Sequence, residues 1–369
     1  MDLFIATGEI SGDLLAEQVV KNLPPSLSIG GIIGPKLRAL GVREYFPMEL
    51  FEIHGLNSFL KGTLRILKHW RKILSTLLDL NPKVVLLVDN SEFSLRLAKA
   101  LRKKGFQGKI VQLVCPTIWA WRKHRAKTLI ENFDLVLSLF PFEKNYFTNT
   151  RLTVEFIGHP LMDFLNQPTE ALRGQKKPII AIFPGSRPQE IALNFPLQLR
   201  ALKHLAQQYT FAVSVAKPHF EQPLLNMAIK EGVEIFLYPS EQRFSLMKSA
   251  EFAVAKCGTI IFELGIWQVP TIVVYKMPRI DLFFAWLFRV LLSHYSLPNI
   301  LLGKRLFPEY VGPFALESLL KEEVDRFANL SDLKESIRLD CKNIFSQYES
   351  KSPGKLAASL IENLIFIPS

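Results

Sequence analysis

Residues 8–13 read Gly-Glu-Ile-Ser-Gly-Asp, and this turn decides the fold prediction. The apolar run at residues 3–6 precedes the turn, and a helical pattern begins behind it at Leu14. A strand that breaks into a glycine-flanked turn before a helix directs backbone N–H groups and a helix N-terminus at whatever lies in the turn. The stretch therefore predicts the first strand, turn and helix of a parallel α/β sheet.

The same turn carries more than a bare phosphate loop needs. Glu9 adds a carboxylate and Ser11 a hydroxyl, and both groups can bind the hydroxyls of a ligand. Gly8 and Gly12 lack a Cβ, so a ligand can approach the backbone closely. The structural alternative is an ordinary strand–helix turn in which Asp13 is the helix N-cap.

Composition bounds the class of protein. The chain has 369 residues, 49% of them hydrophobic and 21% charged, enough for two domains with ample cores. Lys and Arg outnumber Asp and Glu by 45 to 34, a net charge of +11. That balance favours an anionic partner, namely nucleic acid, a phosphorylated substrate or an anionic membrane surface, unless it serves only solubility. Three widely spaced cysteines and seven histidines without ligand spacing argue against a disulfide framework and a zinc site.

No segment has the pattern of a signal peptide or of a membrane span. Asp2, Glu9 and Asp13 interrupt the N-terminal apolar stretch. The most apolar segment, 282–292, contains Arg289 and is shorter than the roughly 20 residues that span a bilayer. We therefore expect a soluble cytosolic protein that is able to touch a membrane surface.

Short apolar runs alternate with helical patterns along the whole chain. Apolar strands separated by helices indicate parallel sheets that are covered on both faces. The predicted buried strands are residues 84–88, 110–114, 135–139, 179–183, 211–215, 252–255 and 271–275. The clearest predicted helices are residues 14–23, 91–104, 195–208, 244–249 and 356–365.

The alternation restarts near residue 170, which predicts two domains. The polar stretch 167–177, which contains Pro and Gly, is typical of a linker. We predict a first domain at 1–168 and a second at 169–349, with a C-terminal helix within 350–369 that packs back on the first. Two such halves predict a cleft at the carboxyl ends of both sheets.

Asp89 directly follows the predicted strand at residues 84–88. A carboxylate at the carboxyl end of a parallel strand lies where the catalytic groups of open α/β sheets collect. The alternative is a capping role at the helix that follows Asn90 and Ser91. The position favours a catalytic role.

A Pro-Gly turn followed by Ser186 and Arg187 repeats this logic in the second half of the chain. The guanidinium of Arg offers a rigid fork of donors that matches a phosphate, and the Ser hydroxyl adds another donor. The pattern favours diphosphate binding over a structural turn. Glu190 is explained as well by a capping box.

Gly258 follows another predicted strand, with Thr259 next and Glu263 four residues further on. One helical turn places Thr259 and Glu263 on the same face. A carboxylate there can accept hydrogen bonds from both ribose hydroxyls, while the glycine turn meets a phosphate. The motif is weak alone and stronger beside the Ser186 turn.

Two segments combine bases with large apolar side chains. Trp119 and Trp121 lie in a loop that leads into the basic residues 123–125. Such aromatic pairs stack on nucleic acid, lie at a lipid interface or fill a core. The segment 59–78 has the pattern of a basic amphipathic helix, which suits an anionic membrane surface or, equally, a core helix with a solvated basic face.

In their order and spacing these segments resemble the lipid A disaccharide synthase family, the inverting glycosyltransferases of lipid A assembly. The resemblance extends over nearly the whole chain, at residues 8–13, 89, 116–122, 156–160, 184–187, 258–263 and 296–299. It implies an α/β GT-B fold of two Rossmann-like domains facing a cleft. It also implies UDP-2,3-diacylglucosamine as donor and 2,3-diacylglucosamine 1-phosphate (lipid X) as acceptor. The products would be a β-1,6-linked disaccharide phosphate and UDP.

The resemblance implies a UDP site in the second domain and no cofactor or metal, because Arg187 and helix N-termini can stabilise the charge of the leaving UDP. The expected UDP contacts are Ser186, Arg187, Gly258, Thr259, Glu263 and Asn299, the last from the Leu-Pro-Asn run. Asp89 is the first choice for the general base that activates the acceptor hydroxyl, and Glu9 is the second. The further substrate contacts expected in the first domain are Gly8, Ser11 and Gly12.

The implied partners are the two acylated substrates and an anionic membrane surface, with no nucleic acid. The implied location is peripheral, on the cytoplasmic face of the inner membrane of a Gram-negative bacterium. The oligomeric state, a homodimer included, stays open.

The chain departs from the family pattern at three positions. Asp89 begins the run Asp-Asn-Ser-Glu-Phe-Ser where the family usually has Asp-x-x-Asp-Phe-Asn, which leaves the roles of Glu92 and Ser94 open. Ile10 replaces the usual small residue or Thr, so the preferred acyl-chain length could differ.

Functions of other classes stay open. Another GT-B enzyme, acting on a polyprenyl-linked sugar or epimerising a UDP-sugar, would share most of these motifs. A dehydrogenase is disfavoured, because no Gly-x-Gly-x-x-Gly follows the first strand. A non-enzymatic RNA- or membrane-binding module would leave Asp89, Arg187 and Glu263 unexplained.

Overall fold

The computed structural model describes residues 1–50, 69–118, 124–166, 169–172, 174, 176–277, 293–349 and 351–366. The chain divides into two compact units: unit 1 comprises Met1–Pro160 and Ser350–Ser369, and unit 2 comprises Leu161–Glu349. Several predicted features lie outside the described residues. They are positions 59–68 of the basic segment, the loop with Trp119 and Trp121, positions 167, 168, 173 and 175 of the linker, and the apolar segment 282–292.

Unit 1 is built on a parallel sheet. Its described strands are β1 (Leu3–Thr7), β2 (Ile29–Ile33), β3 (Arg43–Pro47), β4 (Val84–Val88), β5 (Lys109–Leu113), β6 (Leu135–Ser138) and β7 (Thr153–Phe156). Besides the helical residues 69–80, its described α-helices are α1 (Ile10–Val20), α2 (Pro35–Ala39), α3 (Ser91–Lys103), α4 (His124–Asn132) and α12 (Pro353–Phe366). The seven strands lie in the order β3-β2-β1-β4-β5-β6-β7.

Successive residues of the central strands of unit 1 enter two different cores. Phe4 and Val85 belong to one buried cluster. Their neighbours Ile5 and Leu86 belong to another. Because side chains alternate across a strand, the two clusters lie on opposite faces of the sheet. The continuous apolar runs of the sequence therefore correspond to strands that are buried on both faces.

Strand β2 was not among the predicted strands, because two glycines interrupt its apolar pattern. The structure gives both a steric reason. A Cβ at Gly31 would overlap the carbonyl of Ile5, and a Cβ at Gly30 would lie 2.7 Å from the ring of Tyr45. Glycine here allows close approach of neighbouring backbone and ring atoms rather than a turn.

Helix α1 begins four residues earlier than predicted, at Ile10 instead of Leu14, and the structural alternative, in which Asp13 is its N-cap, is wrong. Glu9 occupies the N-cap position. Asp13 is buried inside the helix, where its carboxylate accepts hydrogen bonds from the backbone N–H groups of Gly34 at 3.0 Å and Lys36 at 2.7 Å. It therefore caps helix α2, not α1.

Helix α12 belongs to the core of unit 1 and packs on α1. Ile361 and Ile365 are buried in the same cluster as Val19. At Gly354 an added Cβ would lie 2.7 Å from the carbonyl oxygen of Gln18, so the helices approach closely there.

Residues 69–80 are helical and carry the described half of the basic segment. Ile73 and Leu77 are fully buried in the core, whereas Arg71 and Lys72 are exposed. Trp70 packs edge-on against Phe93, with ring centroids 5.9 Å apart. This part is an amphipathic core helix with a solvated basic face. Among the helices that are described, none is both long and apolar enough to cross a membrane.

Unit 2 is built on a second parallel sheet. Its described strands are β8 (Ile179–Phe183), β9 (Thr210–Val215), β10 (Phe236–Pro239), β11 (Ala250–Lys256), β12 (Thr271–Tyr275) and β13 (Glu309–Val311). Its described helices are α5 (Pro188–Leu202), α6 (Glu221–Glu231), α7 (Arg243–Ser249), α8 (Thr259–Ile266), α9 (Leu297–Leu302), α10 (Glu317–Asn329) and α11 (Ser331–Glu349). The six strands lie in the order β10-β9-β8-β11-β12-β13.

Each sheet has one point at which the strand order reverses direction. In unit 1 it lies between the neighbouring strands β1 and β4, and in unit 2 between β8 and β11. Ligands of open α/β sheets bind at the carboxyl ends of the strands beside such a switch point. The two switch points are therefore where a functional site is expected in each unit.

Candidate functional site

The switch point of unit 1 carries an acidic edge, which we define as Glu9, Ser11 and Asp89. Thr7 at the end of β1 is paired with Val88 at the end of β4, so the turns that follow are neighbours. The Ser11 hydroxyl donates a hydrogen bond to the Asp89 carboxylate, and the charge of Asp89 acts on Glu9. The structure thus brings together both predicted candidates for the base and one predicted substrate contact.

The backbone at Asp89 is held in an unusual conformation. Asp89 has φ +53° and Asn90 has φ +32°, both in the left-handed region that Asp and Asn tolerate better than other side chains. The Asp89 carbonyl accepts hydrogen bonds from Ser94 Oγ at 3.1 Å and from Gln112 Nε2 at 3.2 Å. Left-handed non-glycine residues persist where their surroundings fix them, and they cluster at functional sites.

The electrostatics of the acidic edge raise the pKa of both carboxyl groups. Burial raises the pKa of Asp89, although the Asn90 backbone N–H and the Ser11 hydroxyl, which bind the charged form, lower it in part. Burial also raises the pKa of Glu9, and the negative charge of Asp89 raises it further. Carboxyl groups with raised pKa values are better proton acceptors than ordinary ones, as general-base catalysis requires.

The two glycines of the first turn differ. A Cβ at Gly8 would overlap Asn90 Nδ2 and lie 3.1 Å from Asn90 Cγ. The space that was predicted for a ligand at Gly8 is therefore filled by the chain itself. A Cβ at Gly12 would make only ordinary contacts, the nearest at 3.5 Å from Val88.

The residues that depart from the family pattern have structural contacts. Ser94 is buried, and its hydroxyl supports the Asp89 carbonyl as described above. Glu92 forms an ion pair with Arg125, whose side chain is only 9% exposed. Ser94 thus stabilises the turn at Asp89, and Glu92 joins α3 to α4.

The switch point of unit 2 opens into a pocket of about 310 Å³. The polypeptide turns after β8 and β11 form its walls together with the start of α7 and the end of β9. We call it the unit 2 pocket. It is lined by Phe183, Pro184, Gly185, Ser186, Glu190, Ser214, Ala216, Ser240, Arg243, Lys256, Gly258, Thr259, Ile260 and Glu263. The predicted contacts Ser186, Gly258, Thr259 and Glu263 are all among them.

Gly258 leaves space for a ligand, in contrast to Gly8. A Cβ added at Gly258 would meet only atoms of Lys256, at 4.0 Å. Gly185, across the pocket, has φ +118°, a conformation that other residues rarely adopt. Both turns therefore expose backbone to the pocket.

Arg187 lies differently from its prediction. Its side chain is 79% exposed and contacts Glu190 Oε1 at 3.3 Å, and it does not line the unit 2 pocket. Asn299 is fully buried: its Oδ1 accepts from the backbone N–H groups of Leu306 and Phe307, and its Nδ2 donates to the Phe307 carbonyl at 2.8 Å. In this structure Asn299 stabilises the turn before β13 and is not part of the pocket lining.

Two cations of the pocket were missed by the sequence analysis. Arg243 Nε lies 2.8 Å from Glu263 Oε2, and its guanidinium lies 4.1 Å above the ring of Phe244. Lys256 Nζ lies 2.9 Å from Glu190 Oε1. Arg243 has no motif around it. Lys256, at the end of β11 two residues before Gly258, carried a positional signal that could have identified it.

Two Rossmann-like units, each with a site at the switch point of a parallel sheet, define a GT-B fold. Solved structures of that fold agree over the full length. A UDP-GlcNAc 2-epimerase from Neisseria meningitidis bound to UDP-GlcNAc superposes with a TM-score of 0.60 at 12% identity, covering 99% of this chain and 100% of the other. MurG from Acinetobacter baumannii gives 0.59 at 14% identity, covering 98% and 99%. The predicted fold class is confirmed.

Residues 3–363 match the model of the lipid-A-disaccharide synthetase family, and the chain belongs to that family. A lipid-A-disaccharide synthase of Pseudomonas putida is 31% identical over 368 residues, covering 92% of this chain and 95% of the relative. The synthase of Chlamydia pneumoniae is 35% identical over 357 residues, covering 92% of this chain but 59% of the relative. The chain spans 51–62% of the length of the chlamydial relatives it matches.

Proposed function

We propose that this chain is an inverting glycosyltransferase that joins UDP-2,3-diacylglucosamine to 2,3-diacylglucosamine 1-phosphate (lipid X). The products are the β-1,6-linked lipid A disaccharide 1-phosphate and UDP. Family membership supports the reaction. The observation that carries the proposal is the unit 2 pocket, because its two backbone turns and its carboxylate match the needs of a nucleoside diphosphate.

The nucleotide half of the donor binds in the unit 2 pocket. Ser186 and the backbone turn at Gly258 bind phosphate oxygens, and Thr259 adds a hydroxyl donor beside them. Glu263 accepts hydrogen bonds from the ribose hydroxyls, with its orientation set by Arg243. Arg187 is exposed and follows the pocket residue Ser186 in the chain, and it approaches the diphosphate only when the nucleotide is bound. The reaction as proposed needs no metal ion and no cofactor.

The chemistry takes place at the acidic edge. The acceptor 6-hydroxyl oxygen forms a bond to the anomeric carbon of the donor while the bond from that carbon to the diphosphate oxygen breaks. The bonding pair leaves with UDP, and the hydroxyl proton passes to Asp89. Ser11 holds the Asp89 carboxylate, and Glu9 orients a sugar hydroxyl. Attack opposite the leaving group inverts the anomeric centre.

The acyl chains bring the protein to a membrane. Ile10 and Leu14 lie one helical turn apart on α1, 63% and 43% exposed, directly behind Glu9. They offer apolar surface to an acyl chain of the acceptor. With a net charge of +11, the protein is suited to an anionic surface. We therefore place it at the cytoplasmic face of the inner membrane of a Gram-negative bacterium, as a peripheral protein.

Mass spectrometry of products from defined diacylglucosamine substrates tests the proposal. We expect a disaccharide 1-phosphate and stoichiometric UDP, with rates unchanged by EDTA. A donor that returns as its C2 epimer, without an acceptor product, would replace the transferase with an epimerase. Loss of activity in EDTA that is restored by a divalent ion would contradict metal independence.

A further inference from the structure

We propose that Lys256 is the main cation that binds the diphosphate of the nucleotide, and that Glu190 is the counter-charge it gives up on binding. The inference rests on the proposed function, since it assigns the charge of the same pocket. It transfers to Lys256 the role that the sequence analysis predicted for Arg187.

The position of Lys256 carries the argument. Its side chain lines the unit 2 pocket and is 14% exposed. Its Cδ lies 3.7 Å from the position of a Cβ on Gly185, and its Nζ lies 4.0 Å from the corresponding position on Gly258. The ammonium group therefore lies beside both backbone turns that line the pocket. A phosphate oxygen bound at either turn is within its reach.

Glu190 pairs with Lys256 in the unit 2 pocket. Its side chain is 10% exposed, and Oε1 contacts Lys256 Nζ at 2.9 Å and a guanidinium nitrogen of Arg187 at 3.3 Å. One buried carboxylate thus pairs with two cations, so the three groups together keep a net positive charge. An entering diphosphate carries the negative charge that can replace it.

The two cations differ in how much of their charge the solvent screens. Arg187 is 79% exposed, so water weakens its interaction with any anion. Lys256 is shielded, and its ammonium lies 4.4 Å from the centre of the Tyr275 ring, whose face favours a cation. A charged hydrogen bond in such a site contributes more than one at the surface. Lys256 is therefore the better ligand for the diphosphate and for the charge that develops as UDP leaves.

Calorimetry on the full-length protein with UDP and with uridine tests the assignment. For Lys256→Met we expect UDP to bind roughly 10- to 100-fold more weakly, as for a lost charged hydrogen bond, with uridine affinity unchanged. Lys256→Arg should restore part of the UDP affinity. Arg187→Met should cost less than Lys256→Met. The matched control is Lys304→Met, since Lys304 also pairs with a carboxylate, at 3.3 Å from Asp340, but is not part of the pocket lining.

Two further variants distinguish a wrong assignment of Lys256 from misfolding of the Lys256→Met protein. Lys256→Met combined with Glu190→Gln removes both buried charges, so no carboxylate is left unpaired; it should fold and still lose the preference for UDP over uridine. Glu190→Gln alone should raise UDP affinity severalfold. If Lys256→Met and the double variant bind UDP like wild type, or if Arg187→Met costs more, the assignment is wrong. If wild type itself does not bind UDP, the proposed function fails as well.

Discussion

The two switch points occupy equivalent positions in two similar sheets and are equipped in opposite ways. In unit 1 the turns after β1 and β4 carry carboxylates, and the space beside Gly8 is filled by Asn90. In unit 2 the turn after β8 and the last residue of β11 carry the cations Arg187 and Lys256, and the space beside Gly258 is open. The comparison teaches that the sheet determines where a ligand meets the chain, while the residues at and just after the end of each strand determine which charge the ligand meets.

The largest effect that would test the contrast is the expected loss of turnover when Asp89 of unit 1 is substituted. Asp89→Asn removes the proton acceptor but keeps the shape, and Asn accepts the left-handed conformation at this position. We expect turnover to fall by about 10²–10⁴-fold, with UDP affinity unchanged. The measurement is the single-turnover rate at saturating donor and acceptor.

Glu9→Gln is the matched control for that variant. If the Asp89 variant loses less than tenfold while the Glu9 variant loses far more, the two roles must be exchanged. The pH profile gives a second check. Because burial raises the pKa of Asp89, acid should protonate the base and abolish wild-type turnover at a pH above its usual value of 3.8.

Substitution of Gly8 and of Gly258 tests the contrast between the two switch points through stability. Gly8→Ala should destabilise unit 1 by about 1–3 kcal/mol, because the new methyl group overlaps Asn90. Gly258→Ala should leave stability within about 0.5 kcal/mol and weaken UDP binding instead. Hydrogen exchange of the amides of β1, β4, β8 and β11 measures the stability of each sheet.

Adding Asn90→Gly to Gly8→Ala should restore protection, since it removes the side chain that clashes and suits the left-handed φ. Equal protection losses in the Gly8 and Gly258 variants would show that both glycines are structural, and the contrast would be lost.

Glu263 provides a smaller test within unit 2. Glu263→Gln should weaken UDP binding about tenfold, within the range for a charged hydrogen bond, and should reduce the preference for UDP over 2′-deoxy-UDP. Competition calorimetry with the two nucleotides measures both. The control is Glu241→Gln, because Glu241 accepts a hydrogen bond from the pocket residue Ser240 but does not itself line the pocket. An unchanged preference would remove the carboxylate from the ribose contact.

The smallest expected effect is a change in the pKa of Glu9 when the charge of Asp89 is removed. In Asp89→Asn the pKa of Glu9 should fall, because one of the two causes that raise it is the charge of Asp89. It should stay above the usual value, since burial remains. Carbon-detected NMR titration of the Glu9 carboxyl measures the shift. Asp2→Asn, at the opposite end of β1, should leave it unmoved.

The sequence predicted the structural elements that have a periodic or apolar pattern. It missed those that depend on contacts with residues far away in the chain. The apolar runs of β4, β8 and β12 were predicted to the residue, because a strand buried on both faces needs such a run. Strand β2 was missed because its two glycines allow close contacts with Ile5 and Tyr45, and those contacts are not visible in the local sequence pattern.

The site shows the same division. Thr259 and Glu263 follow from helical spacing and do line the pocket. Arg243 could not be predicted, because its partner Glu263 lies 20 residues further along the chain on another helix. Asn299 was assigned to the ligand, but its amide binds backbone groups seven and eight residues further on.

Helix α12 has a consequence for the order in which the protein is made. Val19 of α1 and Ile361 of α12 share one core, so the core of unit 1 is incomplete until α12 has left the ribosome. Unit 2 is a continuous stretch, Leu161–Glu349, and is complete before that moment. The N-terminal unit is therefore the later one to be completed. A stop codon between the segments that encode α11 and α12 would damage unit 1, although most of unit 1 precedes unit 2 in the chain.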